Sequence, residues 1–385
     1  MDKVKATQSG GEKPGIDRPP DISPEPGVNE NTDPGYYSAK LVRSIAYWVS
    51  KNPFRKFCEY LTSRIKGQPN VEYIAISIYN FLECLAAGRH HCNNTIIAAP
   101  SGCGKTETYR AVKDFFETAI PKLSVCQVDL TSLTEEGFKG KNTASILEGI
   151  HPIYDGIGII FLDEFDKKLV GSYTAQGSNT NLAVQAQILT LIEGRIVCDS
   201  NGTRIADTHN TLFFAMGAFT QCREKHLSES KSIGFNTGSA LPHNRYDDIT
   251  RQDMIALGGS YELIGRFSSI VNYHSLSHSA IDNIIDATVE QISISIGCDI
   301  NISDEMREDL HEKANGEYGC RLLDSMIREP ALRGYLALRK SNRNVSDYVI
   351  DICNTALFRI RSRYIVAIKF PRNPVSENEG TTEYT

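Results

Sequence analysis

Residues 99 to 106 read Ala-Pro-Ser-Gly-Cys-Gly-Lys-Thr, or APSGCGKT. A short apolar run, NNTIIAAP at 93–100, leads into this turn, and ETYRAVKDFFETA at 107–119, with helical spacing, follows it. A strand, a glycine-rich turn and a helix in that order make a phosphate-binding loop. Gly102 and Gly104 let the backbone curl so that the N–H groups of Ser101 through Thr106, Cys103 included, point at phosphate oxygens. The helix N-terminus adds the positive end of its dipole. Lys105 would reach the β- and γ-phosphates of ATP, and the Thr106 hydroxyl would complete a Mg²⁺ shell. Ala99 stands where the usual pattern has its first glycine. An accidental GKT on a surface loop would need neither the strand before it nor the helix after it.

Downstream, GIIFLDEF at 158–165 is a buried strand ending in two acids. Asp163 is placed to hold Mg²⁺, and Glu164 can polarise a water for in-line attack on the γ-phosphate. A solvated acidic turn is the plain alternative, but two adjacent acids at the C-terminal end of a strand suit a phosphate loop. LSVCQVDLT (123–131) and NTLFFAMGAF (210–219) are further strand candidates, separated by helical stretches. This alternation predicts an α/β fold, a parallel sheet with helices on both faces. After about Asn272 the strand signal fades. SAIDNIIDATVEQISISIG, DEMREDLHEKAN and CRLLDSMIREPALRGYLALRK predict a smaller, mostly α-helical domain.

The expected organisation is a disordered arm over 1–36, rich in Pro, Gly and acids, and a large α/β domain over 37–275 that opens with a helical segment. A small helical domain over 276–368 and a disordered tail over 369–385 complete it. The 385 residues carry a net charge of −6, with 41% hydrophobic and 23% charged residues. That balance is ordinary for a soluble protein and gives no basic stripe for nucleic acid. No apolar run approaches the roughly 20 residues that span a bilayer, and the N-terminus has no signal core, so the chain is expected to stay in the cytoplasm. The ten cysteines form no CxxC pair, and His90-His91-Cys92 reads as a polar turn rather than a metal site.

Several stretches, in order, resemble the ClpX branch of the AAA+ unfoldases and, more loosely, HslU, over roughly residues 64 to 365. IKGQPNVEYIAISIYN resembles the family's entry motif, with Ile65 and Gln68 matching the adenine pocket. LTEEGFKGKN resembles its first pore loop and LDEFDK its acidic strand end. LTLIEG, NTLFFAMGAF, ELIGRF and YGCRLLD follow in the family's order. The resemblance implies a homo-hexamer with ATP between subunits. Arg266 matches the arginine finger and Arg321 the arginine that couples the small domain to nucleotide state. Without the resemblance, each is a surface arginine at a helix end. The polar sensor at the end of NTLFFAMGAF stays unassigned.

Phe138, in GFKG, matches the aromatic that grips a protein substrate in the axial channel, and SYTAQGSNTN (172–181) sits where a second pore loop belongs. The resemblance also explains Ile233-Gly234-Phe235, two large apolar residues amid SESKS and NTGSA. At this place the family carries a tripeptide that docks on a ClpP-type peptidase. A tuck back onto the parent domain is the plain alternative. There are departures: no zinc-binding domain is expected ahead of the ATPase. CDSNGTRIADTHN carries only Arg204 and His209 where the family has a basic substrate loop. The expected function is therefore an ATP-driven unfoldase and translocase feeding a peptidase. The alternatives are a peptidase-independent remodeller of complexes and a nucleotide-switched assembly ATPase.

Overall fold

The computed structural model describes residues 34–90, 93–133, 143–151, 154–173, 177, 179–198, 204–232, 248–314, 316, 319–363 and 382–384. Three helices come first: α1 (Pro34–Lys51), α2 (Phe54–Arg64) and α3 (Val71–Ala86). In α3 the buried residues include Val71, Ile74, Ala75, Ile78, Phe81, Leu82 and Leu85, which is the one-sided stripe of a 3.6-residue period. Next come β1 (Thr95–Ala98), α4 (Lys105–Ala119), β2 (Ser124–Asp129), β3 (Gly158–Asp163), α5 (Phe165–Leu169) and α6 (Thr180–Ile192). A hairpin of β4 (Ile196–Cys198) and β5 (Arg204–Asp207) follows, then β6 (Thr211–Gly217), α7 (Thr220–Ser232), α8 (Arg251–Leu257), α9 (Tyr261–Gly265) and β7 (Ser269–Asn272).

Five of these strands form one sheet in the order β2-β3-β6-β1-β7, and every pairing in it is parallel. Alternate residues feed two separate cores. Ile97, Ile159, Phe161, Leu212, Phe214 and Met216 pack with Trp48, Phe57 and the helices α1 to α4 on one face. Ile96, Ile160, Leu162, Phe213 and Ala215 pack with Phe165, Val184, Ile188, Leu263 and Phe267 on the other. Both faces being covered, β1 and β6 read as continuous apolar runs rather than alternating ones. This is the expected α/β architecture. Strand β7, with the sequence SIVN, was not anticipated; it is a four-residue edge strand pairing Thr95–Ala98 with Ser269–Asn272.

By backbone contacts the chain divides into two units. One ends at His274 and the other begins at Ser275, with Ser101–Cys103 grouped in the second. The second unit contains α10 (His278–Ile296), β8 (Asp299–Ile302), α11 (Asp304–Ala314), α12 (Leu323–Lys340), β9 (Tyr348–Ile352), β10 (Phe358–Ser362) and β11 (Thr382–Tyr384). Its helices are as expected. Its four-stranded sheet, ordered β11-β10-β9-β8, is an addition. Ile281, Ile285, Ile327, Ala331, Ile350, Ile352 and Phe358 form its core. Thr382–Tyr384 pairs with β10, so part of the tail expected to be irregular is strand. Likewise α1 begins at Pro34, inside the expected arm. No helix among the described residues is long and apolar enough to cross a membrane.

Candidate nucleotide site

The loop leaves β1 and turns at two glycines with positive φ, Gly102 at 75° and Gly104 at 103°. Gly104 sits directly ahead of α4, so the loop ends at a helix N-terminus as anion binding requires. Among the described residues the backbone N–H groups of Gly102, Gly104 and Thr106 bond to no backbone carbonyl, and a triphosphate would supply their acceptors. Lys105 is nearly buried and folds back on the loop, with Nζ donating to the carbonyls of Ala99 (2.6 Å) and Pro100 (3.3 Å). A cation thus already lies within the turn. Thr106, half-buried, occupies the first turn of α4.

The acid pair ends β3. Strand order places β3 and β1 on either side of β6. Because all three run parallel, the loop and the acids emerge at the same edge of the sheet. Asp163 Oδ2 accepts from Gln127 Nε2 of β2 at 2.6 Å, and its Oδ1 accepts from the Glu164 N–H at 3.0 Å. Glu164 has a left-handed backbone, φ 56°, uncommon for a side chain of this kind and a mark of a position held by its surroundings. Partial burial pushes its carboxyl up, and the nearby negative charges of Asp166 and Asp163 push it further. Lys167 and Lys105 oppose that rise. A carboxylate so placed is a better proton acceptor than an exposed one. The fit to ATP and Mg²⁺ is good: the amides of Gly102, Gly104 and Thr106 with no backbone acceptor among the described residues, an ammonium in the turn, and a hydroxyl and a carboxylate as hard oxygen donors.

Ile65 is buried against the loop, since a Cβ on Gly104 would lie 3.5 Å from Ile65 Cγ2. Gln68, also buried, is fully occupied by one backbone unit: Nε2 donates to the His274 carbonyl (2.7 Å) and Oε1 accepts from the His274 N–H (3.1 Å). Next to it, Tyr273 is buried in the core, and burial pushes its phenol well up. Its hydroxyl lies 2.9 Å from Thr108 Oγ1, which itself donates to the Gly104 carbonyl at 2.9 Å. The phenol therefore donates to Thr108, and a chain of two hydrogen bonds ends on the glycine of the loop.

Helix α5, which starts just after Glu164, is anchored at every turn. Asp166 is buried and Oδ2 accepts from the Phe219 N–H at 2.9 Å. Phe219, also left-handed at φ 53°, occupies the place where the sequence offered no polar sensor. Lys168, its ammonium pulled down by burial, donates to the Leu133 carbonyl at 2.9 Å. Leu133 is the last described residue before the stretch containing Phe138. Arg266 follows α9 and its guanidinium Nη2 pairs with Glu193 Oε1 at 2.5 Å, with 57% of the arginine side chain exposed. Arg321 is exposed in the second unit. Neither arginine is placed at the loop by any contact among the described residues of its own unit. Phe138 and Ile233-Gly234-Phe235 lie outside the described residues.

Asp166, Lys168, Gln185 and Glu193 were not singled out from sequence. Arg204 and His209, the two basic residues of the stretch where the resemblance expects a basic loop, are engaged locally. Arg204 makes a bidentate pair with Asp155 at 2.8 and 2.6 Å, and His209 Nδ1 lies 2.6 Å from Asp207 Oδ1.

Residues 90–270 match the family model described as an AAA domain (Cdc48 subfamily). The chain is 25% identical over 307 residues to the ATP-dependent Clp protease ATP-binding subunit ClpX of Porphyromonas gingivalis, covering 70% of this chain and 74% of that protein. It is 28% identical over 269 residues to the ClpX subunit of Azotobacter vinelandii, covering 60% of each. It is 24% identical over 306 residues to a ClpX 2 subunit of Wolinella succinogenes, covering 71% of this chain and 75% of that one.

Proposed function

We propose that this chain, a divergent ClpX-like AAA+ protein, is an ATP-driven unfoldase and translocase that works as a homo-hexameric ring and delivers protein substrates to a ClpP-type peptidase. The observation that carries the ATPase half is the shared sheet edge. The loop with Lys105 and the acids Asp163 and Glu164 leave parallel strands separated by β6 alone. Phosphate oxygens would take the loop amides and displace the Lys105 ammonium from the Ala99 and Pro100 carbonyls. Mg²⁺, held by Thr106 and Asp163, would neutralise charge on the phosphates. Glu164 would accept the proton of the attacking water, and its raised proton affinity suits it to that step.

The remaining roles rest on the sequence resemblance. Ile65 would line the adenine side, with Gln68 holding the backbone behind it. Arg266 would reach the neighbouring subunit's γ-phosphate, where an arginine in trans is worth orders of magnitude in rate. Arg321 would report nucleotide state from the small unit. Phe138 would grip the moving substrate, and Ile233-Gly234-Phe235 would anchor the peptidase through six weak contacts acting together.

Co-sedimentation with a ClpP-type peptidase, with and without ATP, tests the reading. Wild type should pellet with the peptidase only when ATP is present, and a variant lacking residues 233–235 should not pellet while keeping its ATPase. Wild type that never associates, with ATPase intact, would sink the peptidase partnership and leave a stand-alone remodeller.

A further inference from the structure

Helix α6 touches the two elements whose ends matter most for ATP turnover. The first is α5. A helix C-terminus leaves carbonyls without intrahelical partners, and here α6 supplies their donors. Asn181 Nδ2 donates to the carbonyls of Lys167 (3.1 Å) and Val170 (2.7 Å), and Gln185 Nε2 donates to that of Lys168 at 2.9 Å. Since α5 starts at the residue after Glu164, α6 holds the far end of the helix that aims the hydrolytic carboxylate.

The second element is α9, whose C-terminal cap is Arg266. Gln185 is buried to 1% exposure and reaches the turn ahead of α9 with both ends of its amide. Nε2 also lies 3.3 Å from the Gly258 carbonyl, and Oε1 accepts from the Ser260 N–H at 2.9 Å. Ser260 caps α9 through the Leu263 N–H at 3.3 Å. Gly258 has φ 121°, and a Cβ there would meet the Leu169 carbonyl oxygen at 2.4 Å. The turn is therefore pressed directly against the end of α5. At the other end of α6, Glu193 takes the Arg266 guanidinium itself. An exposed pair of that kind is weak on its own, so the buried amide sets where α9 lies.

We infer that Gln185 is the positioning residue for Arg266: its one amide fixes the end of α5 and the start of α9 at a set separation, so the subunit's own hydrolytic carboxylate and the arginine it lends to its neighbour keep one geometry. This rests on the reading of Arg266 as an arginine finger. A buried amide with three backbone partners is a stiff spacer, and small misplacements of a charge-stabilising group cost large factors in rate.

The test is a double-mutant cycle on the full chain, reading ATPase kcat and KM together with affinity for a fluorescent ATP analogue. Gln185→Leu should lower kcat about tenfold with nucleotide affinity within about twofold of wild type. Arg266→Ala should lower kcat more. The double variant should lose less than the product of the two single losses, because Gln185 sets turnover by placing the arginine relative to the end of α5, and without the arginine that placement has no effect. If the two losses multiply, or if Gln185→Leu leaves kcat unchanged, the inference is overturned while the finger reading survives. If Arg266→Ala leaves kcat unchanged, the finger reading itself falls, and this inference with it. Gln185→Glu keeps the size and the acceptor for Ser260 but loses the donor to Lys168 and Gly258. It carries the same cycle should Gln185→Leu fail to fold.

Discussion

Gly104 stands one residue ahead of α4 with φ 103°, and a Cβ there would meet Ile65 and Tyr273 only at ordinary contact distances of 3.5 and 3.9 Å. The cost of a side chain is therefore in the backbone, not in crowding. Gly104→Ala should lose at least about tenfold in nucleotide affinity, because the loop amides turn away. The penalty on folding should be only about 1–2 kcal/mol. Titration with a fluorescent nucleotide beside a denaturant melt separates the two, and unchanged affinity would remove the loop from phosphate binding. The residues of the loop and the acid pair were legible in the sequence because their chemistry is local. Gln185 was not, for its partner Ser260 lies 75 positions away. An amide inside an apolar helical stretch carries no signal of what it will bind. Asp166 and Lys168 were hidden likewise; in sequence they look like a solvated acid and base beside LDEF.

At the scale of elements, α1 and α2 are part of the nucleotide-binding unit's core. Trp48 is fully buried on α1 and meets Phe115 (5.9 Å) and Phe116 (5.7 Å) of α4 and Tyr79 (6.0 Å) of α3. Trp48→Ala should cost about 3–5 kcal/mol, a large share of a typical domain's stability. It should shift the denaturant midpoint without changing the slope; a midpoint within error of wild type would mean these helices do not stabilise the unit. The helices were legible from their spacing, and so were the central strands, whose middles are continuous apolar runs. Several other strands were not. Strand β7 is a short edge. Strand β8, DINI, and strand β10, FRIRS, alternate polar with apolar residues because only one face is buried. Such patterns are too short to stand out against the helices around them.

At the scale of the whole molecule, Lys168 joins α5 to the Leu133 carbonyl, immediately before the stretch that holds Phe138. On the proposed roles, hydrolysis and substrate grip would both connect to this one short helix. Phe138→Ala should keep basal ATPase within about twofold, since Lys105, Thr106, Asp163 and Glu164 all remain, and should abolish ATP-dependent unfolding of a tagged fluorescent substrate. Unfolding at the wild-type rate would remove Phe138 from the pore. The expectation of a second unit after about residue 275 came from a change of grammar, from alternating strands and helices to helices alone. What the sequence could not tell is how firmly the first unit ends. Three successive residues are fastened there. The Asn272 side chain bonds both backbone groups of Ile249, Tyr273 reaches Thr108 behind the phosphate loop, and His274 is held at both its N–H and its carbonyl by Gln68. A pull on the chain beyond Ser275 would meet these three anchors first, at the foot of α4 and at the turn that carries Gln68.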